Sequence, residues 1–508
     1  MRKRKTSVQQ LIMISLLIAV MAGISIVFIL FLGKDDGPDG PALSPVPTHQ
    51  QVGISESPGT GNSGTEGTSS KPPESGNGDG YTPSPADPSP SPVQTPPPSP
   101  SDTITLIDIA EINSELISKL DTESNGHNSI AVSIVAYDGY KGLYYAYQYG
   151  YADREAKSAV NVNTKFRIAS LSKFIVAICA MKLVDEGKLD IDEDISVYLG
   201  YNVRNPNYPS TPITARMLMQ HSSSIYDSDA FHGSLDRGER NATQKLLSGR
   251  ASYTGSRPGG SHLYTNFGIA VLGAVVEMAS GKKLDEYARE VLFKPLDIDA
   301  AYLPSNLNDT SLLANIYSTR HTLSLPVATQ LRRSDTYEIG KSQSLGYGSL
   351  VISAFDYAKI LAMLGNGGLF LGERILSPES VAEIHNADFK GPGFMQGLST
   401  RFTNGGKPEN NEGVINDILL WLYTDEDGES IPSEGIYWHT GSAWGLFAQY
   451  IYIAGSGTDE GRGGVDTSRG VVVITTGART GRASNGMIDV GNHLSAIAWQ
   501  GLEFDKPD

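Results

Sequence analysis

A single cysteine, Cys179, stands in the 508 residues of this chain. An internal disulfide is therefore excluded, and a zinc site built on thiolates has no ligands. Cys179 lies in the apolar run Phe174-Ile175-Val176-Ala177-Ile178-Cys179-Ala180, where a buried, inert thiol is expected. An excess of basic residues is also missing. Lys and Arg number 40 against 56 Asp and Glu, for a net charge of −16. Phosphate neutralisation needs a basic surface, so nucleic acid is not a partner; the acidity reads as a device for solubility. The chain has no internal repeat. His221 and His262 have no second ligand at helical spacing, so no metal site is read from them. The run Asp192-Glu193-Asp194 reads as a solvated loop.

What is present divides the chain unevenly. Arg2, Lys3, Arg4 and Lys5 precede Leu11 to Leu32, an uncharged run interrupted only by small polar residues such as Ser15 and Ser25. Such a length spans a hydrocarbon core of about 30 Å as a helix. The positive flank predicts residues 1–10 in the cytoplasm and everything after residue 32 outside. A cleaved signal peptide is the rival, but no small-x-small site follows the run. Residues 33–102 hold 16 of the 28 prolines, with Gly, Ser and Thr filling most of the rest. Too few apolar side chains remain there to offset the entropy of ordering, so a disordered linker is expected. Residues 103–508 have ordinary globular composition and form one domain.

Within that domain, Ser129 to Tyr137 and Leu143 to Tyr151 predict two strands around the turn Asp138-Gly139. Apolar spacing predicts helices over Ala169 to Glu186, Phe267 to Ser280 and Ala354 to Leu364, each stopped by a glycine. Phe447 to Ile453 and Gly470 to Thr476 read as strands, and Val490 to Leu502 as a closing helix. The economical arrangement is an α/β three-layer sandwich: a mainly antiparallel sheet, helices on both faces and an inserted, mostly helical lobe.

Ser170-Leu171-Ser172-Lys173 carries the first chemical signal. On a helix, positions i and i+3 share a face, so the Lys173 amine reaches the Ser170 hydroxyl. A serine is a weak nucleophile until a base accepts its proton, and lysine serves once its pKa is lowered. Ser-x-x-Lys alone is weak, since a chain this long shows about two by chance. Ser280/Lys283 is the second here, at a helix end without chemical company. Two further motifs support the first. Tyr264 is the one tyrosine with an Asn two positions on, Asn266, and His439-Thr440-Gly441 is the one Lys/His-Ser/Thr-Gly triplet.

Phe166-Arg-Ile-Ala-Ser-Leu-Ser-Lys-Phe174 resembles the nucleophile segment of class C β-lactamases and their esterase and DD-peptidase relatives, within the serine β-lactamase and penicillin-binding-protein superfamily. Leu183-Val-Asp-Glu-Gly-Lys-Leu-Asp190, Pro258-Gly259, Leu272-Gly273 and Leu376-Ser-Pro-Glu-Ser380 extend the similarity over about residues 105–500. The resemblance implies that Ser170 is acylated and that Lys173 and Tyr264 share the proton, the order between them left open. It implies that Asn266 meets the substrate amide and Lys173. The backbone N–H groups of Ser170 and Ser442 would form the oxyanion hole, and His439, Thr440 and Gly441 would line a strand edge beside the acyl group. No metal or organic cofactor is implied.

Two positions depart from the family. His439 replaces the more usual Lys, and near neutral pH a histidine pairs with a carboxylate only part of the time. Ser224, in His221-Ser-Ser-Ser-Ile225, stands where Gly is usual. Trp438 and Trp444 flank the triplet, with packing the default role. The expected function is an extracytoplasmic serine hydrolase acting on D-amino-acid peptides, including peptidoglycan stem peptides, or on small esters. A β-lactamase is the alternative. A binding or sensor module that is acylated without turnover is the alternative of another class.

Overall fold

The computed structural model describes residues 103–139, 141–333, 336–392, 394–403, 436–454, 468–478 and 486–501. The expected anchor at 11–32 and the linker at 33–102 lie outside the described residues. No helix among the described residues is long and apolar enough to cross a membrane.

The sheet is built from strands at both ends of the chain. They are β1 (Thr105–Asp108), β2 (Ala131–Asp138), β3 (Leu143–Asp153), β4 (Phe389–Lys390), β5 (Met395–Gln396), β6 (Arg401–Thr403), β7 (Ile436–Ala443), β8 (Leu446–Ile453) and β9 (Arg469–Thr476). Their order is β1-β3-β2-β9-β8-β7-β6-β5-β4. Only the β1/β3 pair on this path is parallel. The fold is thus mixed α/β with a mainly antiparallel sheet.

Both faces of the central strands are apolar because both are covered. Ala131, Val135 and Tyr137 of β2 point to one core, and Val132, Ile134 and Ala136 to the other. The first core also takes in α2 (Ser172–Asp185), α3 (Asn266–Ser280) and α4 (Ala354–Gly365). The second is closed by α1 (Ser114–Gly126) and α5 (Gly486–Gly501), through Leu116, Leu120, Val490 and Leu494. Each such side chain contributes roughly 1.5–3 kcal/mol on burial. At the outer rim of α1, Glu123 hydrogen-bonds His127 at 2.6 Å and His493 of α5 at 2.9 Å. The two helices come from opposite ends of the domain. Between β3 and β4 the chain carries α2, α3 and α4, joined by short helices, loops and strands of two or three residues.

Two expectations need correction, and one departure from the family gains a physical account. The helix expected from Ala169 divides into a 3-10 turn, Ala169–Leu171, and then α2. Ala169 has φ 50°, which costs an L-residue roughly 1–2 kcal/mol and breaks the helix just before Ser170. The acidic run is not merely solvated. Asp194 caps the helix Ile195–Leu199 and pairs with Arg204, and Asp192 grips Arg216 with both oxygens. Ser224 keeps the backbone that glycine would favour, with φ 66°. Its hydroxyl accepts from Asn205 Nδ2 at 3.0 Å, which offsets part of the strain.

Candidate active site

Three parts of the chain meet at Ser170. The 3-10 turn presents the hydroxyl, and α2 carries Lys173 on its first turn. The N-terminus of α3 brings Tyr264 and Asn266. Its cap is Thr265, whose hydroxyl accepts from Gly268 N. Strand β7 runs alongside. A Cβ at Gly441 would lie 2.4 Å from the Ile168 carbonyl and 3.1 Å from Ser170 N, so only glycine lets the strand come this close. Ser442 follows it, exposed, before the Trp444-Gly445 turn, where both residues have positive φ.

The Ser170 Oγ accepts two hydrogen bonds, from the Tyr264 hydroxyl at 2.8 Å and from Lys173 Nζ at 3.1 Å. Lys173 Nζ also donates to Asn266 Oδ1 at 2.9 Å and to the Tyr347 carbonyl at 2.6 Å. All three acceptors are neutral and the side chain is fully buried. Burial therefore pushes its pKa below the ordinary lysine value, although Tyr264 and Asp227 pull the other way. A lysine so placed gives up its proton more readily than one in water, and the serine hydroxyl is within reach of two groups able to take one.

His439 and Thr440 lie beside this cluster on β7. The His439 ring is 6.2 Å from that of Tyr264, and its Nδ1 approaches the Thr440 carbonyl at 2.7 Å. Burial, then the charges of Arg401 and Lys173, hold His439 well below the usual histidine range. Where the sequence suggested a partly charged His439, these surroundings favour its neutral form. His221 is buried against the Tyr264 ring at 4.6 Å and is likewise held neutral, chiefly by burial. Trp438 is buried against Phe394, whereas Trp444 is substantially exposed under the Arg167 guanidinium.

Sequence reasoning passed over Asp227 and Arg401. Asp227 accepts from Thr265 Oγ1, Asn266 N, Asn266 Nδ2 and Phe267 N, all at 2.8 Å. A carboxylate at a helix N-terminus is favoured by the dipole and by the unpaired amides there. Asn266 is thereby held between Lys173 and Asp227, with one amide N–H left for a substrate. Asp227→Ala should lower stability by about 2–3 kcal/mol, read from urea unfolding, because several donors lose their acceptor together. An unchanged midpoint would mean that water replaces the carboxylate. Arg401, on β6, stacks on the rings of Phe394 at 4.6 Å, Trp438 at 5.0 Å and Tyr264 at 5.8 Å. Its Nε is buried without a hydrogen-bond partner among the described residues. Neither residue lies in a motif; a chance Asp and a chance Arg look the same.

A serine hydroxyl flanked by a buried lysine and a tyrosine, on an antiparallel sheet with a helical lobe, defines a serine hydrolase. The Beta-lactamase family model matches residues 116–488, and the chain belongs to that family. It is 30% identical over 178 residues to Esterase EstB of Burkholderia gladioli, covering 33% of this chain and 45% of the relative. It is 27% identical over 190 residues to the D-alanyl-D-alanine-carboxypeptidase/endopeptidase AmpH of Escherichia coli K12, covering 35% and 47%. The matches thus span a little under half the length of these two curated relatives. The octameric penicillin-binding protein homologue from Pyrococcus abyssi shares the fold, with a TM-score of 0.56 at 19% identity over 77% of each chain.

Proposed function

We propose that this hydrolase works outside the membrane, forms an acyl-enzyme on Ser170, and acts on D-amino-acid peptides as a carboxypeptidase or on small esters. The observation that carries the proposal is the pair of hydrogen bonds on Ser170 Oγ from Tyr264 and Lys173. Ser170 Oγ attacks the carbonyl carbon and its proton passes to the Lys173/Tyr264 pair. The backbone N–H groups of Ser170 and Ser442 hold the oxyanion, and the pair returns a proton to the leaving amine or alcohol. Water then cleaves the ester by the same route.

The carboxypeptidase reading needs a cation for the substrate's terminal carboxylate. His439 is neutral, but Arg401 lies beside Tyr264 with no ion pair among the described residues. A guanidinium takes a carboxylate bidentately. The relatives named as an esterase and as a carboxypeptidase support the same two classes. A β-lactamase is the second reading, favoured by the family itself. In this proposal residues 11–32 anchor the chain in the membrane, with residues 1–10 cytoplasmic, and residues 33–102 tether the domain outside. The basic flank and the uncharged run support that placement.

Full-length protein in detergent would be exposed to a fluorophosphonate, to a penicillin and to a peptide ending in D-alanyl-D-alanine, then weighed intact. A fluorophosphonate adduct lost in Ser170→Ala, with release of D-alanine, is the expected result. Stable adducts without turnover of any substrate would favour the acylated sensor. Folded protein with no adduct would overturn the assignment of Ser170.

A further inference from the structure

A cavity of about 280 Å³ is lined by Arg167, Arg240, Arg332 and Arg333, with Pro304 and Leu325 as an apolar wall. No Asp or Glu lines it among the described residues, although the chain carries a net charge of −16. None of the four arginines forms an ion pair among the described residues. Their hydrogen bonds go to neutral oxygens. Arg167 Nε donates to the Gly348 carbonyl at 3.0 Å, Arg333 Nη2 to the Ser344 carbonyl at 2.6 Å, and Arg332 Nη2 to Thr329 Oγ1 at 2.9 Å. A guanidinium has five N–H donors, so most remain for a further partner.

Cations gathered against an apolar wall repel one another, and the less exposed pair, Arg167 and Arg333, also loses hydration. Burial, and then the charge of Arg333, pushes the Arg167 pKa down to about 9. Arg333 is lowered by burial, with Arg240 adding to it. An anion removes both costs, and planar forks suit the oxygens of a phosphate or carboxylate.

We propose that this cavity is an anion-binding site for a phosphate or carboxylate head group on a short apolar stem. The head group sits among Arg167, Arg240, Arg332 and Arg333, and the stem lies against Pro304 and Leu325. The cavity adjoins the segment that holds Lys173. Arg167 binds the Gly348 carbonyl, and the preceding carbonyl, that of Tyr347, accepts from Lys173 Nζ. The site does not depend on what Ser170 acylates.

The test is calorimetric titration of the full-length protein with sodium phosphate and, separately, with butyrate, each against sodium chloride of equal ionic strength. One saturable site is expected, with a dissociation constant in the millimolar range or below. Arg240→Ala and Arg333→Met should each weaken it by about tenfold or more, the loss of a charge-assisted contact. Binding of phosphate alone identifies a phosphate head group; binding of butyrate as well admits carboxylates. No saturable heat with either anion, from protein that melts cooperatively, would overturn the site. So would affinity unchanged in both Arg240→Ala and Arg332→Ala, whose exposed side chains can be removed without disturbing the fold.

Discussion

Lys173→Met slows acylation of Ser170 by about 10³-fold, within the range that positioned proton transfer supplies. Methionine keeps the volume and the buried stem, so the change isolates the amine. The wild-type amine stands 3.1 Å from the Ser170 Oγ, and its burial favours the uncharged form. Lys173→Arg should be nearly as slow, since a guanidinium does not release its proton at any working pH. The wild-type acylation rate rises with pH through the lowered pKa of Lys173 and then levels off. That limb disappears in both variants. Stopped-flow acylation with a chromogenic ester from pH 5 to 10 measures it. A loss below about tenfold, with the limb intact, would move the base role to Tyr264.

Acid should unfold this domain through its buried histidines. His385 packs against Tyr437 and Tyr452, and burial pushes its pKa down to about 4. His221 and His439 are lowered well below their ordinary value, by burial first. Around His221 the neighbouring ionisable groups Lys173, His262, His439 and Arg401 are all bases, so any proton they carry opposes one on His221. For a base with a lowered folded pKa, the unfolded chain binds more protons between the two values. Stability is therefore complete above about pH 6.5 and falls as pH drops through that window. Each histidine costs about 1.4 kcal/mol per pH unit there. For His385 the loss from pH 6.5 to 4 totals about 3 kcal/mol. Glu277 and Asp285, buried with raised pKa values, act in the opposite sense. A single-site comparison separates them. Between pH 7 and 5, His385→Gln should lose about 2 kcal/mol less than the wild type in urea unfolding. An equal loss would show that His385 is protonated in the folded protein.

Much of this was readable without coordinates, for identifiable reasons. A strand or helix is announced by local periodicity, and β2, β3, β8, β9, α3 and α4 fall within a few residues of their expected limits. The motifs at Ser170, Tyr264 and His439 are short and ordered, and the fold brings Tyr264 and Lys173 to one hydroxyl. The helix expected from about Ala169 forms, but its first turn is 3-10, because nothing in the composition betrays a positive φ at an alanine.

What escaped the reading depends on distance along the chain. Asp227 meets Asn266 across 39 positions, and Lys173 meets the carbonyl of Tyr347 across 174. The resemblance of short motif segments carried the family, and a single cysteine excluded an internal disulfide, since these rest on which residues are present and how near they stand in the chain. The lowered pKa of His439, the four arginines around one cavity and an Arg401 without an ion pair among the described residues emerged only from folding. A pKa or an ion pair is set by the few ångströms around a group, and those ångströms are filled by residues hundreds of positions apart.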